Sequence, residues 1–444
     1  MNNLKQGGLS ALFILLPFVV FNCFAAEESS NEELYKLYKQ LERKLEAYEG
    51  RVGAGVKGVP LSGSIDKSYI IAESNDNEFQ YKLDGRVMLD FGTVSNSKDE
   101  NELFSNSEFR RVRLAIKTKM YKNWSGEFDL DFSEGAVELK DLWAAYDGFS
   151  SQNLKIKVGH QKPNFSMNEV TTSRWATFME TSMVSDTFAP GRRIGISATN
   201  YADRYFFGVS LFGDEAVVNN AEEDRSERYG YSVRAVYRPF AKLEDHKVLH
   251  VGLNYMMRKP QSDSGDEIKY SARPESHFID YKYLNTDTIS DVDKIITTGI
   301  EVASLWGRFS TQAEYLKSEV EVKSEGSNSS FDGGYGTIAY FITSDYRVYN
   351  YSDGEFGAVQ PSATNGAWEI ALRYSTLDLN DGSAGITGGE ATNLTLAVNW
   401  YINNNFMMKL NYISVDNDDD ADKKGKFVGG DNLNIIGCRL QYLF

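Results

Sequence analysis

The last eleven residues, 434–444, alternate in a way that few folds can use. Ile436, Cys438, Leu440, Tyr442 and Phe444 are apolar, and Gly437, Arg439 and Gln441 fall between them. A strand turns successive side chains to opposite faces, so this one has an oily face and a wetter one. Soluble proteins usually let a terminus fray, whereas this pattern suits the closing strand of an outer-membrane β-barrel. The expectation is that Tyr442 and Phe444 face lipid and Arg439 faces water.

The same period of two runs back to residue 80. Tyr81, Leu83, Val87, Leu89 and Phe91 alternate with Lys82, Asp84, Arg86 and Asp90. Continuing in this way predicts strands near 80–93, 107–119, 124–133, 136–146, 154–160, 192–199, 205–213 and 229–238. Eight more follow near 248–257, 295–305, 308–322, 333–343, 367–379, 391–401, 406–415 and 434–444. An even number suits closure of a single chain. A β-sandwich also alternates, but its inner faces need closed apolar packing, and here many polar faces carry charges of both signs. The expected fold is all-β: a 16-stranded antiparallel transmembrane β-barrel over 80–444, preceded by a short N-terminal coiled-coil helix.

The connections agree with closure. Short or moderate turns at 121–123, 147–153, 200–204, 306–307 and 402–405 alternate with longer links, among them 161–191 and 258–294. Such alternation is what periplasmic turns and external loops produce. Two links break it: 134–135 is short on the long side, and 344–366 is long on the short side.

Residues 1–26 read as a signal peptide: Lys5, then the apolar run 11–21, then small residues at Cys23 and Ala25. The run is short for a membrane helix, which needs about 20 residues. Cleavage there would leave Cys438 alone, so no intramolecular disulfide could form. Residues 27–50 carry Leu34, Tyr38, Leu41, Leu45 and Tyr48 at alternating spacings of four and three, a heptad seam two repeats long. They are expected to be a periplasmic coiled-coil segment that needs a partner, with Gly- and Ser-containing 51–79 as a linker. Aromatic residues are abundant, with 26 Tyr, 26 Phe and 6 Trp in 444 residues, as lipid-facing girdles require. A net charge of −16 argues against nucleic acid as a partner.

The basic residues are grouped. Arg111, Arg113, Lys117 and Lys119 share one face of the strand 107–119, while Val112, Leu114 and Ile116 take the other. Same-face neighbours lie about 7 Å apart, so these four would line a positive track down a lumen. Lys155 and Lys157 repeat the device on 154–160. Arg86, Arg234, Arg308, Arg373 and Arg439 also fall on predicted lumen faces, as do Asp84, Glu127, Asp129, Asp131, Asp141, Glu301, Glu314 and Glu369. Two readings stay open: cross-strand ion pairs that hold a wet wall together, or an anion path. If the link 161–191 folds inward, Lys162, Arg174, Arg192 and Arg193 could supply donors at a constriction.

No enzyme signature accompanies these groups. The four histidines form no metal-ligand pattern, no nucleophile elbow or phosphate loop is present, and acidic 416–422 lacks the glycine of a calcium-binding turn. The chain is expected to need no cofactor.

Several stretches resemble the phosphate-selective porin O/P family. They are Val-Gly-His-Gln-Lys-Pro from 158, Thr-Thr-Ser-Arg from 171, Phe-Met-Glu-Thr from 178 and Gly-Arg-Arg-Ile-Gly from 191. Gly-Arg-Phe-Ser-Thr-Gln-Ala-Glu-Tyr from 307, Tyr-Phe-Ile-Thr-Ser-Asp-Tyr-Arg-Val-Tyr from 340 and Trp-Glu-Ile-Ala-Leu-Arg-Tyr-Ser-Thr-Leu-Asp-Leu from 368 continue the series. Asn-Trp-Tyr-Ile-Asn from 399 and Arg-Leu-Gln from 439 complete it, in the family's order. The resemblance implies a homotrimeric porin in the outer membrane of a Gram-negative bacterium, embedded in outer-membrane lipid. It further implies passive passage of small anionic solutes such as phosphate or polyphosphate, and places Arg111, Arg113, Arg192 and Arg193 at positions similar to the family's motifs. The rival expectation is a structural or adhesive barrel whose acidic external loops are the working surface.

Overall fold

The computed structural model of the protein describes residues 39–40, 61–66, 69–74, 78–98, 105–149, 153–213, 229–242, 246–260, 266–323, 326–422 and 428–444. The chain divides into two units, Met1–Pro60 and Leu61–Phe444. In the first, residues 39–40 are helical. The signal peptide 1–26 and the rest of the coiled-coil segment 27–50 lie outside the described residues.

The second unit opens with β1 (Leu61–Asp66) and β2 (Tyr69–Ser74), a hairpin in the stretch expected to be a linker. The sheet then runs through β3 (Phe79–Ser95), β4 (Ser105–Met120), β5 (Trp124–Asp131), β6 (Glu138–Tyr146) and β7 (Leu154–Gln161). Two short helices, α1 (Met167–Val170) and α2 (Met183–Phe188), precede β8 (Arg193–Ala202), β9 (Tyr205–Phe212), β10 (Gly230–Lys242) and β11 (Lys247–Arg258). The next link holds the two-residue strands β12 (Ser271–Ala272) and β13 (Leu284–Asn285), ahead of β14 (Val292–Trp306), β15 (Phe309–Val322) and β16 (Ser329–Phe341). Another such pair, β17 (Tyr349–Asn350) and β18 (Glu355–Phe356), precedes β19 (Ala367–Asp381), β20 (Ile386–Tyr401), β21 (Phe406–Asn417) and β22 (Asn432–Leu443).

Sixteen long strands, each corresponding to one predicted from sequence, form a closed antiparallel barrel. β22 pairs with β3 from Asn434 opposite Ser95 to Leu443 opposite Arg86, which closes it. β3 extends past that seam, and its free edge accepts β2 from Ile70 opposite Leu83. At the seam the backbone of Phe444 exchanges hydrogen bonds with Gly85, 2.7 and 3.2 Å. The Phe444 ring lies where a Cβ on residue 85 would stand, so a larger residue there would push the ring aside. Phe444 is accordingly half-buried, while Tyr442 faces outward.

The side-chain period decides the two surfaces. On β11, Leu253 is 62% exposed outward while His250, on the opposite face, is fully buried. Outward aromatic pairs ring the short-turn end: Trp368 on Trp400 at 5.1 Å, Phe406 on Tyr442 at 4.7 Å, and Phe309 on Tyr340 at 4.4 Å. Such a girdle suits the membrane–water boundary, where an aromatic ring can be half wet.

The barrel is not hollow. Phe165, Val184 and Phe188 of the link after β7 pack with Phe278, Ile279 and Leu284 of the link after β11. They cover inward-facing Leu316, Val320, Leu377, Ile413 and Ile435 of β15–β22. These inward apolar residues thus have a partner inside the barrel rather than a wet lumen. Each fully buried Phe or Leu contributes about 2 kcal/mol to holding these links in place.

Candidate functional site

The link 162–192 folds into the barrel. It begins at Ser166, whose hydroxyl caps α1 by accepting Glu169 N at 3.2 Å. The free amides of that first turn find carboxylates on the wall. Met167 N donates to Glu301 at 2.9 Å and to Glu314 at 3.1 Å, and Asn168 N donates to Glu314 at 2.6 Å. The Asn168 side-chain oxygen accepts both Ser182 N and the Ser182 hydroxyl, which ties the two ends of the loop together. Met183 N, at the start of α2, donates to Glu275 of the link 259–291.

Glu180 is the focus of the cluster where the loop meets β3, β4 and β22. It accepts from Arg110 at 2.9 and 3.0 Å, from Arg111 at 3.5 Å and from Arg439 at 2.6 Å. Arg439 also holds Asp90 with two contacts of 2.7 Å. Burial alone would raise the Glu180 carboxyl, but the three guanidiniums hold it well below the usual carboxylate range.

Strict alternation cannot place Arg110 and Arg111 together, because it sends them to opposite faces. A β-bulge does: Met88 stands opposite Arg111 while its neighbour Leu89 stands opposite Phe109, leaving Arg110 as the extra residue. The signal was present as Phe109 and Val112, two apolar outward candidates three residues apart instead of two. Arg439, expected to face water, is fully buried in the same cluster.

Most of the predicted basic residues already hold acids. Arg113 pairs with Asp131 at 2.7 Å and Asp129 at 3.7 Å, and Lys117 with Asp84 at 2.9 Å and Glu127 at 3.3 Å. Arg174 takes Asp84 at 2.5 Å, Arg192 takes Asp141 at 2.6 Å, and Lys162 takes Glu169 at 3.4 Å. Arg193 donates to the Arg192 carbonyl at 2.9 Å. Arg111 is bound to Glu180, so Arg111 and Arg113 do not form an open track. Arg308 is not in the lumen at all: it sits exposed beyond the β14 end, over the Tyr340 ring at 5.1 Å.

Lys119, Lys155 and Lys157 differ. None forms an ion pair with a described residue. Lys155 and Lys157 stand over the Trp143 ring at 5.3 and 4.6 Å, and Lys119 is exposed at the short-turn end of β4.

A family model described as phosphate-selective porin O and P matches residues 81–444. The chain belongs to this porin family. It is 26% identical to Porin O of Pseudomonas aeruginosa over 84% of this chain and 90% of that one. It is 30% identical to an uncharacterized protein of Caulobacter vibrioides, over 84% and 75%. Among solved structures it is similar in fold to OmpT of Vibrio cholerae, at a TM-score of 0.51 and 11% identity over 84% of this chain and 100% of that one. The anion-selective porin of Comamonas acidovorans gives 0.51 and 11% over 83% and 100%. The protein is an outer-membrane porin of a Gram-negative bacterium, from a family of channels rather than enzymes.

In this porin the inner wall is unevenly open. Arg234, Thr297, Ser375, Asn393, Thr395 and Lys409, spread over β10–β21, are fully buried beneath the folded-in links. The Lys117 side chain keeps 36% exposure, and Lys155 and Lys157 are half-buried. Among these inward faces, those of the wall β4–β7 are therefore the less covered by the folded-in links. On the loop side of that wall a cavity of 530 Å³ opens among Arg110, Lys140, Asp186, Arg273 and His277.

The link 342–366 enters from the other end of the barrel. Its Asp353 and Gly354 carbonyls accept Arg234 at 2.8 and 2.7 Å, and Arg347 pairs with Glu369 at 2.8 Å. Burial and then Asp353 push the Glu355 carboxyl up to about 8. The folded protein thus holds a proton that the unfolded chain, with a carboxyl near about 4.3, releases. Stability from this group is present at low pH and is lost as pH rises from about 4.3 through about 8. The thermal-unfolding midpoint should fall between about pH 5 and about pH 9, and Glu355→Gln should flatten that slope. A wild-type midpoint with no such fall would remove the assignment.

Proposed function

We propose that this porin lets small anions, phosphate and polyphosphate among them, diffuse passively across the outer membrane. The observation that carries this reading is the lysine pair Lys155 and Lys157. These side chains form no ion pair with a described residue, whereas Arg113 on β4, Lys140 on β6 and Arg192 of the loop are matched by acids. Two ammonium groups held in no ion pair favour anions over cations in a water-filled lumen. Their seat on Trp143 fits, because a cation over an aromatic face is held without a carboxylate that would cancel its charge. The family's description as phosphate-selective is consistent with the same solute class.

Reversal potentials across planar bilayers in a salt gradient test this. Wild type should prefer chloride to potassium, and added phosphate should block the chloride current. The double variant Lys155→Gln and Lys157→Gln should lower the permeability ratio about tenfold, as a loss of about 0.7 kcal/mol of attraction per charge would do. Cation preference in the wild type would overturn the anion reading, and absence of conductance would favour a structural or adhesive barrel. Current steps that arrive in threes would mark the homotrimer proposed with this reading, and single steps would remove it.

A further inference from the structure

Every carbonyl from 174 to 180 accepts from a side chain of the wall or of the link 342–366. Gln441 donates to the Arg174 carbonyl at 3.1 Å, Arg347 to Trp175 at 2.9 Å, Asn399 to Thr177 at 2.9 Å and Arg373 to Glu180 at 3.0 Å. Lys409 takes the Ala176 carbonyl and, at 3.4 Å, that of Phe178, and Arg439 takes that of Met179. All six donors are almost completely buried, and five of them stand on β19–β22.

Two side chains of the same segment have seats in that wall. Ala339 of β16 stands opposite Ala371 of β19, which stands opposite Ala397 of β20. Residues so paired lie about 5 Å apart, so the three methyl groups make a shallow floor across three strands. The buried Phe178 ring packs on this floor, with the Arg373 guanidinium over it at 4.4 Å. Met179 lies against Gly437 of β22, where a Cβ would stand 3.1 Å from the methionine sulfur. The wall is thus small where the segment is bulky, and it carries donors where the segment presents carbonyls.

We propose that 174–180 is a strap latched onto β16 and β19–β22, and that this latch keeps the segment off the inward faces of β4–β7. Lys409 and Ala371 are its positioning residues: one holds two carbonyls at once, and the other is the middle of the floor beneath Phe178. Neither acts by touching the solute. Docking through carbonyls makes the place of the strap independent of the side chains at 175–177, because every residue supplies the same acceptor. The ends of the segment are also tied to β3 and β4, through Arg174 on Asp84 and Glu180 on Arg110. An unlatched strap therefore swings toward those strands and narrows the lumen there. The inference goes beyond the anion reading, since it concerns where the segment lies and not the sign of the ions that pass.

Single-channel recording in planar bilayers tests the latch, on variants whose closed barrel is shown by its heat-dependent gel shift. Wild type should visit a lower current level rarely. Lys409→Met should raise the time spent at that level about thirtyfold, the scale of two lost hydrogen bonds. Ala371→Leu overfills the floor and should raise it about tenfold. In a Phe178→Ala background Ala371→Leu should add little, because the space it takes is then vacant. Thr177→Ala, which keeps the carbonyl, should match wild type. Gln441→Leu removes the Arg174 bond alone, should give about a fivefold rise, and replaces Lys409→Met if that barrel does not close. Wild-type current in every variant that closes would overturn the latch. So would an Ala371→Leu effect of equal size with and without the Phe178 ring, or a Thr177→Ala effect as large as that of Lys409→Met.

Discussion

Replacing Glu180 by glutamine should raise anion preference several-fold and loosen the loop that sets the bore. Glu180 lies 2.6 Å from Arg439, 2.9 Å from Arg110 and 3.5 Å from Arg111. Without its charge Arg439 keeps Asp90, while Arg110 and Arg111 lose the one carboxylate they pair with among the described residues, so the cluster gains a full positive charge. Removing one partner of a buried ion pair costs about 3–5 kcal/mol, because the desolvated charges left behind go unmatched. Glutamine still accepts a hydrogen bond, which puts this change near the lower end of that range. The loop should move more, and open-channel noise should rise together with the chloride-to-potassium permeability ratio. A permeability ratio equal to wild type would mean that the Glu180 charge is not felt in the path.

The second large effect is expected at Glu301, where two folded-in links meet one wall residue. Its carboxylate accepts Arg234 at 2.8 Å, His250 at 2.9 Å, Asn254 at 2.8 Å and the Met167 amide at 2.9 Å. Arg234 in turn holds the Asp353 and Gly354 carbonyls, so Glu301 anchors the start of one link and the tip of another. Glu301→Leu should destabilise the barrel by about 3–5 kcal/mol, visible as a lower midpoint of thermal unfolding. Most of that loss comes from an orphaned guanidinium rather than from the missing contact itself. Adding Arg234→Met should therefore restore much of the midpoint, since an apolar pair of similar volume is often neutral. A double variant as unstable as the single one would contradict this account.

The barrel was legible from residue order because its rule is local. Outward Leu249, Val251 and Leu253 against inward His250 and Asn254 need only a period of two, and the same period carried through to Tyr442. The family resemblance was legible for the same reason, in short runs of adjacent residues. The links were harder. The interruption of the short-long alternation at 344–366 marked an unusual segment, and that segment does enter the lumen. Nothing local said that it would be clamped by Arg234 or pair through Arg347 with Glu369. The bulge at Arg110 was missed because one extra residue reverses the parity of everything beyond it. Arg308 was misplaced because a turn ends the alternation that put it inward.

By itself, then, the sequence determined the two faces of each regularly paired strand, and that sixteen strands make up the barrel. Those follow from backbone geometry within a few residues. Only the tertiary structure decided which inward charges meet water. Arg439 finds Asp90 across 349 positions of chain and Glu180 across 259, and both contacts depend on strand closure and on a loop folded through the lumen. Charge neutralisation is a pairwise property of space, so Arg111 and Arg113 are bound to acids while Lys155 and Lys157 form no ion pair with a described residue.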